Sequence, residues 1–234
     1  MESTFPGCPL RHWREYFTTL FVAVVLALLV RNYLITAYKV PTGSMQPTLK
    51  SGDFIFSSRT SFGFHLPFST STYNPGMPER GDVVVFSYEK RPDVSYVKRV
   101  VALPGDKVQM EGGRLILNDL PVVYAPIENS AGDNPNPEIF SLFDEKLESA
   151  SHRVIFRKEI EDKKFGPVIV PPGEVFLLGD NRDASDDSRY WGTVPMTQVT
   201  GRVTFIWLSL DWQKKWGGER YPSVRWKRVF SSVH

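Results

Sequence analysis

The chain has 234 residues, 23% charged and 41% hydrophobic, an ordinary balance for a globular protein of one large or two small domains. A formal net charge of +2 is too near zero to argue for nucleic acid. Cys8 is the single cysteine, which excludes an intramolecular disulfide, and His12, His65, His152 and His234 lack metal-ligand spacing. In chain order, the first marked feature is Tyr16–Val30, "YFTTLFVAVVLALLV", which carries no charge. A bilayer asks for about 20 apolar residues. Arg31 can snorkel to headgroups, so Tyr16–Tyr38 reads as a membrane anchor with a tyrosine at each interface, behind a short segment 1–15. A core helix is rarely apolar all round, and "RNYLITAYKV" offers no small-x-small cleavage site for a removable signal peptide. Arg11 and Arg14 before the segment and Lys39 and Lys50 after it leave orientation poorly determined by charge.

Beyond the anchor the pattern is β. Short β-branched or aromatic runs occur at "GDFIF" (52–56), "GDVVVFSY" (81–88), "SYVKRVVAL" (95–103) and "GDKVQM" (105–110). Three of the four open with Gly-Asp, a turn dipeptide. "EGGR" (111–114) and "LNDLP" (117–121) are further hairpin turns. Residues 124–166 are loop-like and weakly periodic and read as an inserted smaller α/β lobe. Strands resume at "GPVIVPPGEVFLLGD" and "GRVTFIWLSL". The expected fold is therefore mainly β: a transmembrane helix, then an antiparallel domain made of 39–123 and 167–212, the inserted lobe, and a basic and aromatic tail, 213–234.

"VPTGSMQPTL" (40–49) places Ser44 in a proline-bounded loop directly after the anchor. A serine hydroxyl is a poor nucleophile without a base. His65, in "FGFHLPF", is the nearest histidine in sequence but has no evident carboxylate partner, and Gln46 stands where a nucleophile elbow needs its second glycine. Lys98 is the better candidate: it lies in an apolar strand beside Arg99, and alternation sends the two to opposite faces. Desolvation disfavours the ammonium, and about 2–3 units of pKa depression would make it a base near neutral pH. An isolated strand lysine is more often one that snorkels from a sheet edge. "GDNRDASDDSRYWG" (179–192) is too charged for a strand and fails as a calcium loop, lacking Gly at position 6 and Glu at position 12 from Asp180. A solvated loop is the ordinary alternative.

Together "VPTGSMQPTL", "GDVVVFSY", "SYVKRVVALPGDKV" and "GDNRDASDDSRYWG" resemble the ordered boxes of bacterial type I signal peptidase, the Ser-Lys leader peptidase family. The resemblance runs from about Tyr16 to Trp212, and the insert and tail match loosely. It implies Ser44 as nucleophile and Lys98 as general base. It further implies the Ser44 N–H and the Thr42 hydroxyl as oxyanion donors, with Thr42 standing where the family often has serine. Ser185 would hydrogen-bond Lys98 and aim it, and Arg99, Asp180, Arg182, Asp187 and Arg189 would be structural supports. It implies a single-pass protein of the bacterial cytoplasmic membrane, with its β domain on the outer, periplasmic side and residues 1–15 in the cytoplasm.

The substrate class so implied is preprotein signal peptides, cut after small residues at −1 and −3. Val40, Met45, Leu49, Tyr96 and Val97 flank the two catalytic candidates and are expected to line shallow pockets, with plain core packing as the alternative for each. Expected partners are the lipid bilayer and the secretion machinery, and no nucleic acid. Trp, Tyr, Lys and Arg alternate in the tail, as in a membrane-surface contact or a solvated basic tail. No metal or nucleotide motif appears, so no cofactor is expected. Two other classes compete. A self-cleaving repressor would need a helix-turn-helix where the apolar segment lies. A non-catalytic anchored β module would give Ser44 and Lys98 no reason to meet.

Overall fold

The computed structural model describes residues 10–29, 35–62, 64–65, 72–73, 76–88, 91–127, 134–148, 150–159, 164–216 and 221–233. Helix α1 (Leu10–Leu29) precedes β1 (Ile35–Lys39), β2 (Asp53–Ser58) and the short hairpin β3 (Phe64–His65) and β4 (Thr72–Tyr73). There follow β5 (Val83–Tyr88), β6 (Arg91–Ala102), β7 (Lys107–Glu111), β8 (Arg114–Leu117), β9 (Leu120–Pro121) and β10 (Val123–Pro126). The chain continues through β11 (Phe140–Leu147), β12 (Ala150–Arg157), β13 (Phe165–Ile169) and β14 (Glu174–Leu178). It closes with α2 (Ser188–Trp191), β15 (Val194–Pro195), β16 (Val199–Trp216), β17 (Tyr221–Val224) and β18 (Ser231–Ser232).

The main sheet has nine strands: β1-β2-β16-β5-β6-β14-β15 in order, with β17 and β18 both paired to β16. A four-stranded sheet, β13-β7-β8-β9, packs against the β6–β14 side through Val101, Val108, Met110, Leu115, Phe176 and Leu178. Central β5 reads Val83-Val84-Val85-Phe86 and is buried on both faces. Val83 and Val85 join Val40, Met45, Leu49 and Ile55 in one cluster, whereas Val84 and Phe86 join Val100, Val175 and Leu177 in another.

The Gly-Asp dipeptides are one turn used three times. Gly52, Gly81 and Gly105 have φ of 91°, 95° and 87°, which other residues adopt only with strain. In each, the following aspartate accepts the backbone N–H three residues upstream: Lys50 N to Asp53 at 2.8 Å, Glu79 N to Asp82 at 3.0 Å, and Leu103 N to Asp106 at 2.6 Å.

Three expectations change. The inserted lobe is not α/β: its described residues form the antiparallel sheet β10-β11-β12 and no helix. Its alternation was hidden because Glu145 and His152, both buried, occupy inward positions where an apolar residue normally marks the period. The described residues of 213–234 are not a free tail, since β17 and β18 pair with β16, and Arg228 forms an ion pair with buried Asp53 at 2.6 Å. The helix ends its described course at Leu29, and residues 35–38 of the expected span lie in strand β1 instead, with Tyr38 opposite Ile55 and the following Lys39 opposite Phe54 of β2. β-branched and aromatic residues in "ITAYK" suit that edge. Among the described residues no helix is long and apolar enough to cross a membrane. Helix α1 nonetheless leaves Phe17, Leu20, Phe21, Val22, Leu26 and Leu28 exposed among the described residues.

Candidate active site

Ser44 sits in the turns between β1 and β2. The segment is closed at its base by Val40 N to Asp53 O at 2.8 Å and Gly52 N to Val40 O at 2.9 Å. Met45 and Leu49 anchor it from below in the core, and Gln46 N to Gly43 O at 3.1 Å tightens it. Its polar side faces β6. There Lys98, 4% exposed, lies opposite Val84, and its Nζ donates to Ser44 Oγ at 2.7 Å. Burial removes water from the amine and brings its pKa down to about 8, against the pull of Asp187, Asp186 and Asp180. A hydroxyl thus meets an amine that loses its proton within the working range of an enzyme. Thr42 Oγ1 is 3.4 Å from Ser44 Oγ, beside it but at the weak limit of hydrogen bonding.

The loop after β14 closes the other side. Asn181 N donates to Ser44 O at 3.1 Å. Gly179 makes that approach possible: a Cβ there would stand 2.5 Å from Ser44 O and 2.2 Å from Ser185 Oγ. Ser185 is buried next to this contact, but its Oγ makes no hydrogen bond. The expected Lys98–Ser185 bond is therefore not formed. The amine donates to Ser44 instead.

All five expected supports are charge-paired. Arg99 grips Asp180 with two donors, Nε to Oδ1 at 2.8 Å and Nη2 to Oδ2 at 2.7 Å, and donates to Gly81 O at 2.6 Å. Thr48 Oγ1 donates to the same carboxylate at 2.5 Å. Burial alone would raise the Asp180 pKa, but the Arg99 charge and hydrogen bonds hold it below the usual range. Arg182 forms a fork to Glu145, both contacts at 2.5 Å, and burial is again outweighed so that the Glu145 carboxyl is held low. Asp187 caps α2, accepts Gly179 N at 3.0 Å and pairs with Arg189 Nε at 2.7 Å.

Glu145, His152, Thr48 and Asn181 escaped the sequence reading. Asn181 lies inside the 179–192 box, where no local pattern singles it out. Glu145 and His152 become neighbours only through the β11–β12 register, which sets them opposite each other. His152 Nε2 lies 3.1 Å from Glu145 Oε1 without hydrogen-bond geometry, and burial, with Arg99, lowers its pKa. The lobe is stitched to the loop by a parallel bridge, Ile155 N to Asp180 O at 3.0 Å and Arg182 N to Ile155 O at 3.1 Å. Of the expected pocket residues, Val40, Met45 and Leu49 are core, 3%, 1% and 0% exposed, while Tyr96 and Val97 are half-buried. His65 lies in the β3–β4 hairpin, and its side chain is outside what the structure describes. Among the described residues no group of three His, Cys, Asp or Glu could hold a metal.

The family described as signal peptidase, peptidase S26, matches residues 13–208. A signal peptidase I of Pseudomonas aeruginosa is 37% identical over 211 residues, covering 83% of this chain and 72% of its own. One of Pseudomonas fluorescens is 38% identical over the same shares. One of Buchnera aphidicola is 31% identical over 238 residues, 84% of this chain and 77% of its own.

Proposed function

The chain belongs to the signal peptidase family, peptidase S26, as a hydrolase of the signal peptidase I class, and on that premise we propose that Ser44 and Lys98 form its catalytic dyad. The observation that carries the proposal is the 2.7 Å contact between Lys98 Nζ and Ser44 Oγ inside a nearly water-free strand environment. A non-catalytic module would give those two side chains no reason to meet.

In the proposed reaction a neutral Lys98 takes the Ser44 proton as Oγ attacks the scissile carbonyl carbon. The negative oxygen of the tetrahedral intermediate is received by the Ser44 N–H, with the Thr42 hydroxyl beside it. Lys98, now an ammonium, returns the proton to the departing amine, and the acyl-serine remains. A water then loses its proton to Lys98 and attacks the ester, and the ammonium reprotonates Ser44 Oγ. Arg99, Asp180, Arg182, Asp187 and Arg189 hold the frame, and the aiming of Lys98 by Ser185 rests on the family resemblance, its Oγ making no hydrogen bond in this structure.

The substrates are preprotein signal peptides with small residues at −1 and −3. Half-buried Val97 offers them an accessible wall backed by Val40, Met45 and Leu49, while Tyr96 packs on the opposite face of β6 with Val84 and Phe86. Exposed apolar residues on α1 support contact with a membrane; the bacterial cytoplasmic membrane, the outer placement of the β domain and the neighbouring secretion machinery come from the family reading alone. The test is cleavage of a preprotein with an Ala-x-Ala site in detergent by wild type, Ser44→Ala and Lys98→Ala across pH. Both variants are expected to be inactive, with wild-type kcat/KM rising through about pH 8. Activity that survives Lys98→Ala would overturn the dyad.

A further inference from the structure

Ser44 must do more than face its base, because its own backbone N–H has to point at the place where negative charge develops. In a planar trans peptide the C=O and N–H point in opposite directions. The orientation of the Ser44 N–H is therefore fixed by whatever holds the Gly43 carbonyl. Two donors hold it, Gln46 N at 3.1 Å from within the turn and Asn181 Nδ2 at 3.2 Å from the facing loop, and the backbone N–H of Asn181 also donates to Ser44 O at 3.1 Å. One residue thus grips two successive carbonyls on either side of the nucleophile. Among the described residues no backbone acceptor takes the Ser44 N–H, so it is left available on the far side.

The amide can face only one way. Turned over, its Oδ1 would meet Gly43 O, acceptor against acceptor. As placed, Oδ1 is buried with no hydrogen-bond partner, which makes Asn181 a poor choice for stability alone. The residue is itself held firmly. Asp180 and Arg182 on either side form the Arg99 and Glu145 ion pairs, and both bond through their backbones to Ile155 of the lobe. Donation to Gly43 O also polarises the peptide and strengthens its N–H as a donor.

We infer that Asn181 is the positioning residue of the nucleophile turn, its side-chain amide aiming the Ser44 N–H into the site. The inference rests on the proposed role of Ser44. Its test is steady-state cleavage of the Ala-x-Ala preprotein by the full chain in detergent, with Asn181→Ala, Asn181→Leu, which keeps the side-chain bulk, and Ser44→Ala in parallel. The melting temperature of each variant is measured as well. The expected result is a kcat lowered by about 10- to 100-fold in both Asn181 variants, below the 10²–10³ typical of losing an oxyanion donor outright. KM should stay within about twofold and the acid limb of kcat/KM should not move, since neither ground-state binding nor the base is touched. Wild-type kcat in either folded variant, a fall confined to KM, a displaced acid limb, or loss of folding in both variants would each overturn the inference. Activity in Ser44→Ala would instead bring down the reading beneath it, while an inactive Ser44→Ala beside unimpaired Asn181 variants would remove this inference alone.

Discussion

Lys98 and Arg99 are consecutive on one strand, both cations and both buried, yet their surroundings are opposite. Arg99 has a carboxylate across both its donor edges and a carbonyl besides, so its charge stays. Among the described residues Lys98 has a single hydroxyl as hydrogen-bond partner, and its carboxylate neighbours act only at longer range. The difference separates two uses of burial. A paired buried cation fixes geometry, and removing its partner leaves an uncompensated charge. An unpaired one gives up its proton and becomes a base.

The sharpest way to break this contrast is to delete each cation and compare the sign of the effect. Arg99→Leu strands Asp180, and chemical denaturation should show a loss of about 3–5 kcal/mol. The expected remainder of the Asp180 depression, stability that falls away as pH drops through the carboxylate range, should vanish with it. Gly179→Ala acts where the nucleophile turn meets the loop after β14, pushing its methyl at Ser44 O and Ser185 Oγ. Cleavage assays should show kcat reduced by about 100-fold or more, as displacement of a reacting group by about 1 Å can produce.

Lys98→Met should instead stabilise. The Lys98 pKa falls from 10.5 unfolded to about 8 folded, so between those values the unfolded chain binds more protons and wild-type stability rises with pH. The variant escapes a burden present in full below pH 8. It should therefore melt higher at pH 7, by on the order of 1–3 kcal/mol, with the gain fading toward pH 10.5. A Lys98→Met protein that is less stable at pH 7 would mean that the ammonium is well solvated. The smallest effect is expected from Asp186→Asn, which removes an exposed charge that favours the ammonium. The acid limb of kcat/KM should move down by about 0.1–0.4 pH units at low salt and by less at high salt.

Much of this was legible in the chain. The strands after Gly-Asp turns, the hairpins at Gly112-Gly113 and Asn118-Asp119, and the two groups of the proposed dyad follow from local pattern and from the quoted boxes. What was missed depends on pairing between distant strands. Glu145 and His152 look like solvated charges in a polar stretch until β11 and β12 bring them together under Arg182. The aromatic and basic C-terminal stretch looks like a tail because Asp53, which receives Arg228, lies far away in sequence. Lys98 donates to Ser44 and Ser185 Oγ stays unbonded, a choice of side-chain partner that no spacing in the sequence encodes.

The Val83–Phe86 run has a consequence for assembly. Because it is apolar on both faces, sliding β6 past it by one residue would bury the same oily surface, and hydrophobic burial alone would be nearly blind to the mistake. The adjacent cations remove that degeneracy. In a slipped chain a guanidinium, which keeps its proton, would sit against Ser44, and Asp180 would be offered an amine instead of a fork. The mispaired protein would be both less stable and inert, so the adjacency of Lys98 and Arg99 acts as a proofreading mark, written in charge where shape carries no information.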